Sequence, residues 1–270
     1  MQVSGKSAIC LLYQNQVTIH PMMAYYKERM ENEELLVKHA IIGITDDHQK
    51  GALGVKMFEK EAITIIEREK GKNLRPVHDF TDGCASQYKG KISFFDISKQ
   101  KEPDVTRNFF ETSHGMSVCA GLGAVVKGSC YHAVISGKEI LGTAQDVMKY
   151  CENRLQVDKK VISVTNRKHV TKTEFIFINC GDVDRERPEV KTVQGTRKFH
   201  SIRSCGQELV IEAKHLSCYC MGCKEGLLCQ NVEYVSAWEK KKLSVNTEIH
   251  VPPHLASHLT FQLEILLQLS

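Results

Sequence analysis

No stretch of this chain approaches the roughly 18 consecutive apolar residues that a membrane-spanning helix requires, so the sequence predicts no transmembrane segment and no membrane partner. The first apolar run, Ala8 to Tyr13, is too short for the core of a signal peptide, and an intracellular protein is expected. A surplus of one charge sign is also missing. Thirty-six Lys+Arg stand against 32 Asp+Glu, a formal net charge of +4. That balance permits nucleic-acid binding without arguing for it. There is no internal repeat and no low-complexity run. With 42% apolar and 25% charged residues, the composition excludes disordered and fibrous classes. A chain of 270 residues is long enough to bury a substantial core.

Cysteine, by contrast, is plentiful. Eleven is an odd number, which argues against a closed disulfide framework. Cys10, Cys84, Cys119, Cys130, Cys151 and Cys180 are scattered and read as small buried hydrophobes. Cys218, Cys220, Cys223 and Cys229 crowd together, with Cys205 upstream.

Hydrophobic patterning predicts alternating strands and helices. Gln16–Tyr26 is rich in β-branched and aromatic residues and reads as a strand despite Pro21, and His39–Thr45 as a buried strand. Ala52–Glu69 has the 3–4 spacing of an amphipathic helix, ended by Gly71. Pro76–Thr81 is a strand running into Asp82-Gly83. Cys84–Lys99 is ambiguous, with a helix as one reading. Arg107–Thr112 reads as a strand, and Ala124–Ile135 and Lys138–Leu155 as helices. A further strand near Ile9–Tyr13 would precede them. This order implies an α/β domain over residues 1–156. Residues 157–243 read as a smaller β module carrying the cysteines, with strands at Val161–Thr165 and Glu174–Asn179 and a polar linker at Gly181–Lys191. The tail, 244–270, carries a leucine stripe of helical spacing.

Three places carry chemistry. Asp82 follows a strand inside Phe80-Thr81-Asp82-Gly83-Cys84. A carboxylate projecting from a strand end suits metal-dependent phosphoryl transfer, because Mg²⁺ needs rigid oxygen ligands. Asp-Gly is equally a turn dipeptide, and Asp46-Asp47 meets the same pair of readings. The glycines of Cys119–Lys127 lack both the third glycine of a dinucleotide loop and the Gly-Lys-Ser/Thr of a P-loop, so they predict close packing at a helix start. The cysteine run offers four thiolates, with Cys220-x2-Cys223 as one zinc half-site and Cys218 and Cys229 closing the tetrahedron. His215 and Cys205 are spare ligands. The alternative is a group of reduced thiols.

The block Thr81-Asp82-Gly83-Cys84-Ala85-Ser86-Gln87-Tyr88-Lys89 resembles a motif of the RNase H-like DDE transposase domains of animal DNA transposons. His114, Gly115, Gly121, Gly123 and Lys127 are similar to a second motif, and Gln16–Pro21, Gly195–Lys198, the Cys-x-Cys-x2-Cys run and Trp238 to further segments, over residues 14–243. The resemblance implies an RNase H-like mixed sheet with helices on both faces, Asp82 at the end of a central strand, and a nuclear, DNA-binding protein. In such domains three acids hold two divalent ions. Asp82 stands at the second place, but the third is Ala120, a motif Lys is Met116, and Met1–Asn15 contains no acid for the first. The departures argue against bound Mg²⁺ and for a noncatalytic, transposon-derived protein that retains DNA contacts at Lys89, Lys91, His114, Lys127, Arg197 and Lys198. Arg203 and Lys240–Lys242 extend that basic set. Two readings compete: an active nuclease with substitute acids at Asp46, Asp47 or Glu111, and an interaction module or functionless remnant.

Overall fold

A computed structural model describes residues 17–30, 33–49, 51–71, 74, 76–100, 105–110, 118–164, 167–186, 188–224 and 227–245. Its elements begin with β1 (Thr18–Met30), β2 (Glu33–Thr45), α1 (Ala52–Lys70), β3 (Val77–Thr81), α2 (Lys91–Ser98), β4 (Val105–Phe109), α3 (Val118–Ile135) and α4 (Ala144–Leu155). They continue with β5 (Val157–Val164), β6 (Arg167–Ile178), β7 (Ser201–Ser204), β8 (Val210–Lys214), α5 (Met221–Lys224) and β9 (Glu239–Lys242). The result is a mixed α/β protein with two mixed sheets, ordered β1-β2-β6-β5 and β3-β4-β7-β8-β9.

The first sheet is a middle layer. Successive residues of β2 point to opposite faces. Ile42 and Ile44 pack with Phe175 against Val126, Cys130, Val147 and Cys151 of α3 and α4. Ile41 joins Ile176 and Ile178 against Phe58, Ala62, Ile65 and Ile66 of α1. Burial on both faces explains why the centre of β2 is a continuous apolar run. Gly43 allows α1 to approach closely, because a Cβ there would run into the ring of Phe58. Among the described residues β1 is an edge strand, where the ladder donor that Pro21 lacks costs least. Helix α1 stops at Gly71, whose φ of 62° is the left-handed conformation glycine supplies. Helix α4 starts at 144 rather than 138 because Thr143 and Asp146 form a reciprocal capping box there.

Three expectations need correction. Among the described residues there are two sheets, not one, since β3 pairs with β4 and not with β1 or β2. Strands from both sides of residue 156 build both sheets: β6 pairs in parallel with β2 over ten positions, and β7 adds to β4. Val183 and Val190, within the expected linker, are buried, so that segment packs rather than spaces. Helix α3 begins six residues earlier than predicted, and Gly121 and Gly123 lie inside it, Gly123 against Pro21 of β1. This helix is long and apolar enough to cross a membrane by length and composition, with a mean hydropathy of 1.4 over 18 residues. A count of consecutive apolar residues passes over it because Gly, Ser and Lys127 interrupt the run. The strand expected near Ile9–Tyr13 and the helical stripe of the tail lie outside the described residues.

Candidate metal centre and the strand-end surface

The second sheet holds both the cysteines and the Asp82 loop. Its core is Phe94 and Ile97 of α2, Phe109, Phe199, Ile202, Ile211 and Leu243. Trp238 packs beneath two cations, Arg203 at 4.3 Å and Lys214 at 4.7 Å from its ring centre. Between β8 and Trp238 the chain turns through the cysteine segment.

The Sγ atoms of Cys218, Cys220, Cys223 and Cys229 all lie within 4.8 Å of one another. A tetrahedral zinc centre with Zn–S of about 2.3 Å separates its sulfurs by about 3.8 Å, so a small contraction fits the ion. The short helix α5 turns the chain between Cys220 and Cys223. The Cys223 N–H donates to Cys220 Sγ at 3.5 Å, and Asn231 Nδ2 to Cys218 Sγ at 3.6 Å. Backbone N–H groups of Cys223 and Gln230 lower the Cys220 thiol to about 6, which favours the thiolate a metal needs. Cys223 is pushed up to about 12, first by burial and then by the neighbouring thiols. Four thiols this close cannot all ionise without a cation among them. Gly222 lets the loop close: a Cβ there would meet the carbonyl of Leu228, the residue before Cys229. The four cysteines therefore lie close enough to hold a metal ion and are compatible with zinc. His215 instead faces Glu239 at 3.9 Å, and Cys205 donates to the Val210 carbonyl at 3.7 Å.

Asp82 lies directly after β3 and is exposed, as expected of a strand-end acid; among the described residues β3 is the edge of its sheet rather than a central strand. Its Oδ1 accepts the Cys84 N–H at 2.9 Å, closing the Asp-Gly turn. Asp46 accepts the Cys180 N–H at 2.7 Å. Asp47 is buried and accepts from Gln49 N–H and from Arg185 at 3.1 Å. Both side chains thus hold loops together. Ala120 is exposed in the first turn of α3. Glu111 and His114 lie outside the described residues. Among the described residues, the cysteines are the one group of three or more His, Cys, Asp or Glu that converges on a metal position.

The proposed cations separate into groups. Lys89 Nζ sits 4.9 Å over the ring of Phe109 and donates to the Arg197 carbonyl at 3.3 Å, so Lys89, Arg197 and Lys198 share one region. Lys91 opens α2 and, with Gln49, Ser86 and Arg185, lines a cleft of about 310 Å³. Lys127 is exposed on α3, which packs against the other sheet. Lys240–Lys242 form β9, where lysines on an edge strand discourage pairing with another chain.

A buried charge cluster behind the strand end was not legible in the sequence. Arg107 is paired in register with Asp79 and donates to it at 2.6 Å, to both oxygens of Glu59 at 2.7 Å, and to Ser93 at 2.7 Å. Burial raises Glu59 to about 7 even against the pull of Arg107. His20 of β1 stacks on Phe58 and comes within 3.5 Å of the Tyr88 hydroxyl, and burial lowers it to about 4. The available signal was an arginine at an interior position of a short strand, where a charge survives only when paired.

The chain matches the family described as Domain of unknown function (DUF8701) over residues 8–217. It belongs to that family. The match covers the elements from β1 to β8 and ends before Cys218, so α5, β9 and the four metal-ready cysteines lie beyond it. No curated protein and no solved structure matches the chain.

Proposed function

We propose that this DUF8701 protein is transposase-derived, of RNase H-like architecture, and that it binds DNA through phosphate contacts without cutting or joining it, in a nuclear setting and with zinc as a structural ion. The observation that carries the reading is the end of the β3–β4 pair. An exposed Asp82 stands there at the start of the loop that carries Lys89, itself tied to the Arg197 carbonyl, while the carboxylates of Asp79 and Glu59 are already held by Arg107. A two-metal site needs several carboxylates open to the ions. The strand and helix order supports the architecture: a β1–β2 hairpin, α1, then β3 and β4 in parallel across α2. The reading requires one more strand between the open edges of β1 and β3, and the strand expected over Ile9–Tyr13 lies outside the described residues. In the structural role, zinc would close the 218–229 loop on itself, with Lys214 of β8 3.8 Å from the Cys223 sulfur.

Binding by three phosphate contacts predicts a salt slope near −2.7, or roughly a 40-fold loss of duplex affinity between 50 and 200 mM salt. Fluorescence anisotropy on the full chain measures this, and affinity that ignores salt or is missing at 50 mM overturns the DNA reading. A strand-cleavage assay with Mg²⁺ and Mn²⁺ tests the rest. Cleavage by wild type that disappears in Asp82→Ala would restore the nuclease reading.

A further inference from the structure

The cleft of about 310 Å³ that Lys91 and Arg185 line lies where three strands deliver their connections. β2 and β6 are parallel and end side by side at Thr45 and Ile178. β2 leads through Gln49 into α1, β6 leads on to Arg185, and β3 leads through Ser86 into α2. Residues of all three connections form the wall of the cleft. In α/β sheets the crevice beyond the carboxyl ends of the strands is where ligands bind, and the volume falls within the usual range for a small-ligand pocket.

The lining selects the charge of the occupant. It holds two cations, Lys91 and Arg185, and among the described residues no carboxylate. Arg185 is fixed in place, donating to Gln49 Oε1 at 2.8 Å and to Asp47 Oδ1 at 3.1 Å. Asp47 is itself buried and also accepts the Gln49 N–H at 2.9 Å. Lys91 is exposed and makes no ion pair among the described residues. Two helices also start at this wall, α1 with Gly51–Gly54 and α2 with Gly90–Ile92. Both N-caps are glycine in extended backbone, neither helix has a side-chain cap, and neither carries an acid in its first turn. Helices usually place Ser, Thr, Asp or Asn there, because the first N–H groups otherwise lack an acceptor. Here both positive helix ends and both cations meet in one recess, which favours an anion. We infer that this cleft binds a phosphate group, held by the Lys91 ammonium, the Arg185 guanidinium and the first N–H groups of α1 and α2. Phosphate suits the recess because its oxygens accept in several directions from donors that arrive on separate elements. The inference stands apart from the DNA reading: a small phosphate ester and a DNA backbone offer the same group, and the experiment separates them.

The experiment titrates the full chain with inorganic phosphate, and with sodium chloride at matched ionic strength, while NMR follows the backbone amides. Saturable shifts at 52–54 and 91–93 are expected with phosphate and not with chloride. Lys91→Met weakens binding at least about tenfold, the loss of one charge-assisted contact. Gly51→Asp separates binding from folding. Nothing lies within 4 Å of a Cβ at Gly51, and the new carboxylate caps α1 from within the chain. That variant should melt no lower than wild type and yet lose phosphate. Shifts that fail to saturate, that match chloride or that map elsewhere overturn the site, as does full binding by Lys91→Met or Gly51→Asp. The wild-type map decides even where a variant misfolds. A 20-base-pair duplex that displaces phosphate from wild type, and binds Gly51→Asp more weakly, assigns the site to a backbone phosphate. Phosphate that stays bound in the presence of duplex assigns it to a small ester. Failure of the site leaves salt-dependent DNA binding through the other cations intact, so the two readings fail separately.

Discussion

Arg107→Met removes the cation that joins β3, β4 and α1 while keeping much of the side-chain volume. Taking one partner from a buried ion pair costs about 3–5 kcal/mol, because the charge left behind has lost its compensation. Asp79 and Glu59 keep 24% and 27% of their side-chain surface exposed, so water relieves part of that cost. The low end, about 3 kcal/mol, is therefore expected. The pH dependence identifies the cause. Glu59 already stands at about 7 in the folded protein against an ordinary 4.5, and the guanidinium is what pulls it down. Without Arg107 it rises further. A carboxyl whose folded pKa lies above its unfolded value contributes stability that is full below the unfolded pKa and lost as pH rises through the folded one. The deficit of Arg107→Met relative to wild type must then be larger at pH 8 than at pH 5. Urea unfolding at both pH values, followed by the fluorescence of the single tryptophan, Trp238, measures it. A deficit below about 1 kcal/mol, or one equal at the two pH values, would refute the assignment of Arg107 as the compensating charge.

His20 gives the opposite sign. Its folded pKa of about 4 lies below the ordinary 6.5, so its contribution is full above pH 6.5 and is lost as pH falls toward 4, by about 3 kcal/mol. His20→Gln should flatten that part of the acid unfolding curve, and an unchanged curve counts against it. Purified protein should carry one zinc per chain by elemental analysis, and chelation or Cys220→Ser should lower the melting temperature; a metal-free protein with four freely titrating thiols ends the zinc assignment. Gly222→Ala should cost about 1–3 kcal/mol, because its new methyl group forces the Leu228 carbonyl and the Cys229 loop apart. Unaltered stability and zinc retention in that variant would show that the loop yields freely.

Local signals located most of the elements, because those signals sit in the residues that form them. The 3–4 spacing of Val55, Phe58, Ala62, Ile65 and Ile66 and the stop at Gly71 describe α1 almost to the residue. The β-branched run of 39–45 marks the buried half of β2, and the cysteine spacing marks the metal-ready loop. Where competing chemistry acted over a few residues, the reading slipped: the Thr143–Asp146 capping box, not hydrophobic spacing, sets the start of α4.

What the sequence determined by itself is the strand and helix order as far as β6 and the closeness of four cysteines that lie within 12 residues of one another, since periodicity, caps and short spacings are properties of neighbouring residues, whereas β7, β8 and β9 were not legible as strands. Which strands share a sheet was decided only in the tertiary structure. β6 lies beside β2 across more than 120 residues of chain, and β7 beside β4 across more than 90. The same holds for the charge cluster of Glu59, Asp79 and Arg107 and for the rings of Phe80, Phe110 and Tyr219. Each joins residues from separate elements, and no single element carries a pattern for them. An arginine or a phenylalanine in a strand is ordinary until the fold brings its partners within a few ångströms, and burial and charge then decide what it does.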